Sequence, residues 1–144
     1  MYISRAMQAP TAAELLTDPA VLQALEGAWA DSLPAVPARR HEEGGWVYAD
    51  TATGAVTTRR APAGGQAELD LDAPPVVPGC VVVATFHTHP NPAAEGWTTG
   101  PSPGDVRSAW ALGVSCLIRA EDGVHVAGPD SRRGGLAGGP GYPS

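Results

Sequence analysis

The chain has 144 residues, a length that points to one domain, and 43% of them are hydrophobic, enough for a core. Nine basic residues against fifteen acidic give a net charge of −6, which argues against a general phosphate-binding surface, so no nucleic-acid partner is expected. No apolar run approaches the ~18 residues of a membrane span, and the opening MYISRAMQAP lacks a secretion core, so a cytoplasmic protein with no membrane partner is expected. Two cysteines are too few for a disulfide scaffold or a cysteine-rich zinc site.

Thr11 to Glu14 reads as a capping box before Leu15 and Leu16. Asp18-Pro19 reads as an N-cap with proline in the first turn, and Val21, Leu22, Leu25, Ala28 and Trp29 follow at helical spacing. The reading is an amphipathic helix over 19–32, stopped by Leu33-Pro34, with a connector over 34–41. Gly45 to Asp50 is expected to be a strand with Trp46 and Tyr48 on one face, returning through the 51–54 turn as a second strand over 55–60. Leu69 and Leu71 share a face in a weakly alternating stretch, and Pro74, Pro75 and Pro78 forbid a regular element after it. Cys80 to Phe86 is a continuous apolar run, as expected of a central strand. A loop over 91–101, a helix over 102–112 and short strands over 114–119 and 124–127 complete the pattern, the last two joined by a tight turn at 121–123. The Gly/Pro-rich tail, 129–144, is expected to lack regular structure, leaving a core of about 19–128 within one domain of 1–144.

Three stretches carry groups suited to chemistry. In an extended chain residues i and i+2 point the same way, so His87-Thr88-His89-Pro90 presents two imidazoles in one direction at the end of a buried strand. Such a pair suits a metal; the plainer reading is two polar residues leaving the core. Ser102-Pro103-Gly104-Asp105 is close to a capping box, which explains its identities structurally. A carboxylate in that first turn is also firmly held, and beside the strand end Asp105 would complete a His/His/Asp set with one position open. His41-Glu42-Glu43-Gly44-Gly45 sets two carboxylates at a strand entry, either a solvated turn or the place of a general base. Cys80 and Cys116 read as small core residues, His125 as structural and His41 as a surface residue. The pairs Arg39-Arg40, Arg59-Arg60 and Arg132-Arg133 read as solvated surface.

The ordered set resembles the JAMM motif of the MPN+/JAB domain metallopeptidases: an upstream glutamate, then His-Ser/Thr-His-Pro, then Ser-x-x-Asp. The resemblance covers roughly residues 40–128. It implies an MPN/JAB-like α/β domain with a curved mixed β-sheet flanked by helices. It implies Zn2+ held by His87, His89 and Asp105 with water as fourth ligand. A glutamate then serves as general base, and Ser102 supports the oxyanion. In that family the glutamate often stands about three residues before a glycine that opens the first core strand; this spacing favours Glu42 over Glu43. The implied activity is hydrolysis of a peptide or isopeptide bond, with a protein or peptide substrate and a ubiquitin-like modifier as one partner class. The alternatives are an inactive MPN-like protein-binding domain, another metallohydrolase such as a toxin-system nuclease, and a purely structural domain. The spacer departs from the family: residues 91–101 run to eleven, where about seven is usual, a lengthening that costs a loop little entropy.

Overall fold

A computed structural model describes residues 9–129 and the backbone of 131–138. Its elements are α1 (Ala12–Leu15), α2 (Pro19–Asp31), β1 (Gly44–Asp50), β2 (Val56–Arg60), β3 (Cys80–His89), α3 (Pro103–Leu112), β4 (Ser115–Ala120), β5 (Gly123–Gly128) and β6 (Ser131–Gly138), with short 3-10 turns at Pro37–Arg39 and Ala93–Glu95. Among the described residues no helix is long and apolar enough to cross a membrane.

The six strands form one sheet in the order β2-β1-β3-β4-β5-β6. Neighbours run antiparallel except β3 and β4, which are parallel and are joined through α3. Strand alternation divides the side chains between two layers. On one face Val47, Phe86, Leu117, Val124 and Val126 pack with Leu15, Leu16, Val21, Leu25 and Ala28 of the first two helices. On the other, Cys116, Ile118 and Ala127 pack with Ala109 of α3, while Trp46 and Tyr48 pack with Ala61 and Leu71. Each fully buried aliphatic side chain contributes about 1.5–3 kcal/mol, so the first layer supplies most of the burial energy.

The sheet is not the curved, MPN/JAB-like one that the resemblance implies. The strand order is linear with β2 and β6 at the edges, and the sheet is open, neither closed nor strongly curled. The physical reason lies in the two helical layers. Both faces are covered by helix or loop, so the apolar side chains are buried without the sheet wrapping on itself. A second difference is β6, a strand over residues expected to be irregular. β3 runs from Cys80 through His89, as the extended reading of the histidine pair expects, and the His89 backbone pairs with Ala120.

The start of β1 lies very close to the end of β3. A Cβ on Gly44 would stand 2.2 Å from the Phe86 carbonyl oxygen and 2.8 Å from the His87 Cα. Glycine is therefore required at this crossing. Gly44→Ala is expected to force the two strands apart and cost about 1–3 kcal/mol, the range for overpacking. Chemical denaturation checks this; an unchanged midpoint would contradict it.

Candidate metal centre

Three elements bring the candidate residues together. His87 and His89 leave the same face at the end of β3, where Pro90 stops the ladder. Asp105 stands in the first turn of α3. Ser102 is the N-cap: its Oγ accepts from the Asp105 backbone N–H at 3.0 Å, and its own N–H donates to Asp105 Oδ2 at 2.9 Å. The capping box is thus complete, and it aims the carboxylate at the strand end. Glu42 precedes β1; its N–H donates to Gly65 O and its carbonyl accepts from Gly64 N–H, each at 2.8 Å.

The distances are short. His87 Nε2 lies 3.2 Å from His89 Nε2. Asp105 Oδ1 is 3.3 Å from His87 Nε2, and Asp105 Oδ2 is 3.2 Å from His89 Nε2. Ligand atoms of Glu42, His87 and His89 all fall within 4.8 Å of one another. Glu42 therefore joins the two histidines in a potential metal-ligand group, while Asp105 reaches both histidines through separate oxygens.

This arrangement fits a cation. His89 Nδ1 faces the Thr99 carbonyl at 3.3 Å, and a carbonyl can only accept, so Nδ1 carries the hydrogen. In the neutral ring the Nε2 lone pair then points at the carboxylate and at the second imidazole, contacts that a positive charge among them satisfies, whether a metal ion or a proton on His87. A tetrahedral zinc with bonds of about 2.0–2.1 Å sets its ligand atoms about 3.3 Å apart, close to the spacing found here. The set is a potential metal site, consistent with a metal-dependent hydrolase; imidazole and carboxylate ligands alone do not select one divalent ion.

The electrostatics agree. Burial opposes charge on Asp105, but its contacts with the two imidazoles hold its pKa far below the usual carboxylate range. Burial also opposes the His87 imidazolium, but the Cys116 sulfur and Asp105 outweigh it and raise its pKa well above the ordinary value. Glu42 moves the other way. Only 7% of it is exposed, and burial raises its pKa against the opposing pull of His87 and His89.

The neighbouring Glu43 is engaged elsewhere. Its carboxylate accepts from Arg60 Nη2 at 2.6 Å and meets His41 Nε2 at 2.6 Å. Arg60 also pairs with Asp31 at 3.1 Å. His41, expected at the surface, is partly exposed and also pairs with Glu43. Of the two adjacent glutamates, only Glu42 lines the cleft with the histidines.

That cleft has a volume of about 530 Å³. Its floor is the histidine pair. One wall is the 67–72 segment, anchored where Trp46 Nε1 donates to Leu71 O at 3.0 Å; the other is the 96–100 stretch carrying the exposed Trp97. Gln66 and Asn91 join the two walls, the Asn91 amide donating to Gln66 O at 2.9 Å.

Two partners of the histidines are missing from the sequence reading. Cys116 does pack in the core as expected, but its Sγ also lies 3.4 Å from His87 Nδ1. Thr99 supplies the carbonyl to His89. Neither has a motif: Cys116 looks like one more small strand residue, and a backbone carbonyl leaves no trace in residue identity. No protein-family model, curated protein or solved structure matches the chain.

Proposed function

We propose that this protein is a zinc-dependent hydrolase of peptide or isopeptide bonds, working in the manner of the JAMM metallopeptidases. The single observation that carries the proposal is the convergence of His87, His89 and Asp105 on one point, with the buried Glu42 carboxylate beside it. The ordered Glu42, His87-Thr88-His89-Pro90 and Ser102-Pro103-Gly104-Asp105 set supports the same reading.

His87, His89 and Asp105 would hold the metal, which supplies Lewis acidity that polarises a carbonyl and lowers the pKa of water. Glu42 accepts a proton from the water that attacks the carbonyl carbon. It then delivers that proton to the amine nitrogen as the C–N bond breaks, leaving a carboxylate and an amine. A carboxyl with a raised pKa suits both halves of this exchange. Ser102 Oγ accepts the helix-capping bond, so its own hydrogen is left to donate toward the oxyanion. The exposed Trp97 and the 67–72 segment flank this point and would contact the substrate chain. The substrate is a protein or peptide, and a protein joined to a ubiquitin-like modifier is one such class. A cytoplasmic setting suits Cys80 and Cys116, which are both free.

The test is hydrolysis of peptide and isopeptide-linked substrates by the purified chain loaded with zinc. Cleavage that stops on chelation and returns with zinc is expected. Zinc bound at one site with no cleavage of either bond type would contradict hydrolysis and favour a protein-binding role.

A further inference from the structure

We propose that Thr99 and Asp122 are positioning residues for His89, so that the long 91–101 loop is part of the metal centre. The inference rests on the reading of His89 as a ligand, and it concerns how that ligand is prepared. An imidazole can bind a metal through Nε2 only if its single hydrogen sits on Nδ1. The Thr99 carbonyl, 3.3 Å from Nδ1, is an acceptor for that hydrogen and favours this choice against the pull of the Asp105 carboxylate on Nε2. Turned away from the carbonyl, the ring could carry its hydrogen into the cluster.

The carbonyl must itself be held, and a relay of side chains holds it. Thr99 Oγ1 donates to Asp122 Oδ2 at 3.3 Å. The other oxygen of Asp122 accepts from His125 Nε2 at 3.0 Å. Asp122 lies in the β4–β5 turn and His125 in β5, so the relay ties the loop to the sheet. His125 is buried, and the loop packs on its ring: a Cβ on Gly100 would stand 3.5 Å from its Nδ1. Burial works against charge on Asp122, but the His125 hydrogen bond lowers its pKa, which keeps both oxygens as acceptors.

Two further ties fix the start of the loop. Glu121 Oε2 accepts from the Ala93 N–H at 2.7 Å, and Glu95 pairs with Arg40 Nη1 at 2.8 Å. Arg40 stands two residues before Glu42. The loop is therefore fastened beside both the candidate base and the candidate ligand. Ligand histidines commonly gain affinity from such an outer partner, and its loss weakens metal binding by about 10–100-fold.

The experiment uses the full chain with Thr99→Val, Thr99→Ser and Asp122→Ala. Nitrogen-15 NMR of the histidine rings in metal-free protein reads the tautomer, and chelator competition reads zinc affinity. In the wild type, His89 is expected as the Nδ1–H form. Thr99→Val keeps the carbonyl and removes only its tether; mixed tautomers and zinc affinity weaker by about 10–100-fold are expected. Thr99→Ser, which keeps the hydroxyl, should restore both. Asp122→Ala should behave as Thr99→Val, and if it fails to fold the threonine pair decides alone. An Nε2–H form in the wild type, or an unchanged ring and affinity in Thr99→Val, would overturn the inference. A wild type that binds no zinc would defeat the proposed function, and the ring measurement would still decide this one.

Discussion

Glu42→Gln should leave zinc bound and lower turnover by about 10²–10⁴-fold, the usual contribution of a general acid–base group. Glutamine matches glutamate in size but cannot take up the proton. The same change should stabilise the metal-free protein at neutral pH. Burial raises the Glu42 pKa in the folded state. The folded chain thus binds its proton more tightly than the unfolded chain, and stability falls as pH rises through the folded value. At pH 7 the ionised carboxylate costs stability that glutamine does not. Below the ordinary glutamate pKa of about 4.3 the two proteins should converge. Thermal unfolding in the presence of a chelator at pH 7 and pH 4 checks the sign. A variant less stable at pH 7, or one that keeps full turnover, would contradict the assignment. Glu43→Gln is the control: it weakens the pairing with Arg60 and His41, so it should destabilise the fold without a selective loss of turnover.

Asp105→Asn should separate the two duties of this residue. Its Oδ2 accepts from the Ser102 N–H, and an amide oxygen can do the same, so the helix start should survive. The negative charge beside His87 Nε2 and His89 Nε2 is lost. Zinc affinity is expected to fall by at least about 10²-fold, with the circular dichroism of the helices unchanged. Asp105→Ala should lose the cap as well, at about 1 kcal/mol. Tight zinc binding by Asp105→Asn would show that the carboxylate is only a cap.

These expectations depend on features that differ in how far residue identity reveals them. Local rules reach the hairpin, the apolar central strand and the three capped helices, because caps, turns and periodicity act over a few residues. They reach the common direction of His87 and His89 for the same reason. The separation of Glu42 from Glu43 also follows from alternation at the entry to β1, although its cause is remote: Arg60 and His41 hold Glu43 away from the cleft. The shape of the sheet is not local. Whether it curls depends on what covers each face, and Ala109 and Leu25 reach their strands only after the chain has folded. β6 is likewise a tertiary outcome. Its glycine- and arginine-rich stretch has little intrinsic strand preference, and pairing with β5 decides its state. The contacts of Cys116 and Thr99 with the histidines join separate elements through a weak donor and a backbone atom. Such pairs carry no pattern that spacing alone could expose.

This cluster is expected to bind one metal ion. The most direct measurement is metal content by mass spectrometry on protein purified without added metal and again after zinc is offered, with wild type beside His89→Ala. About one zinc per wild-type chain, lost in the variant, is the predicted result. No metal in the wild type after zinc is offered, or equal metal in both proteins, would contradict it.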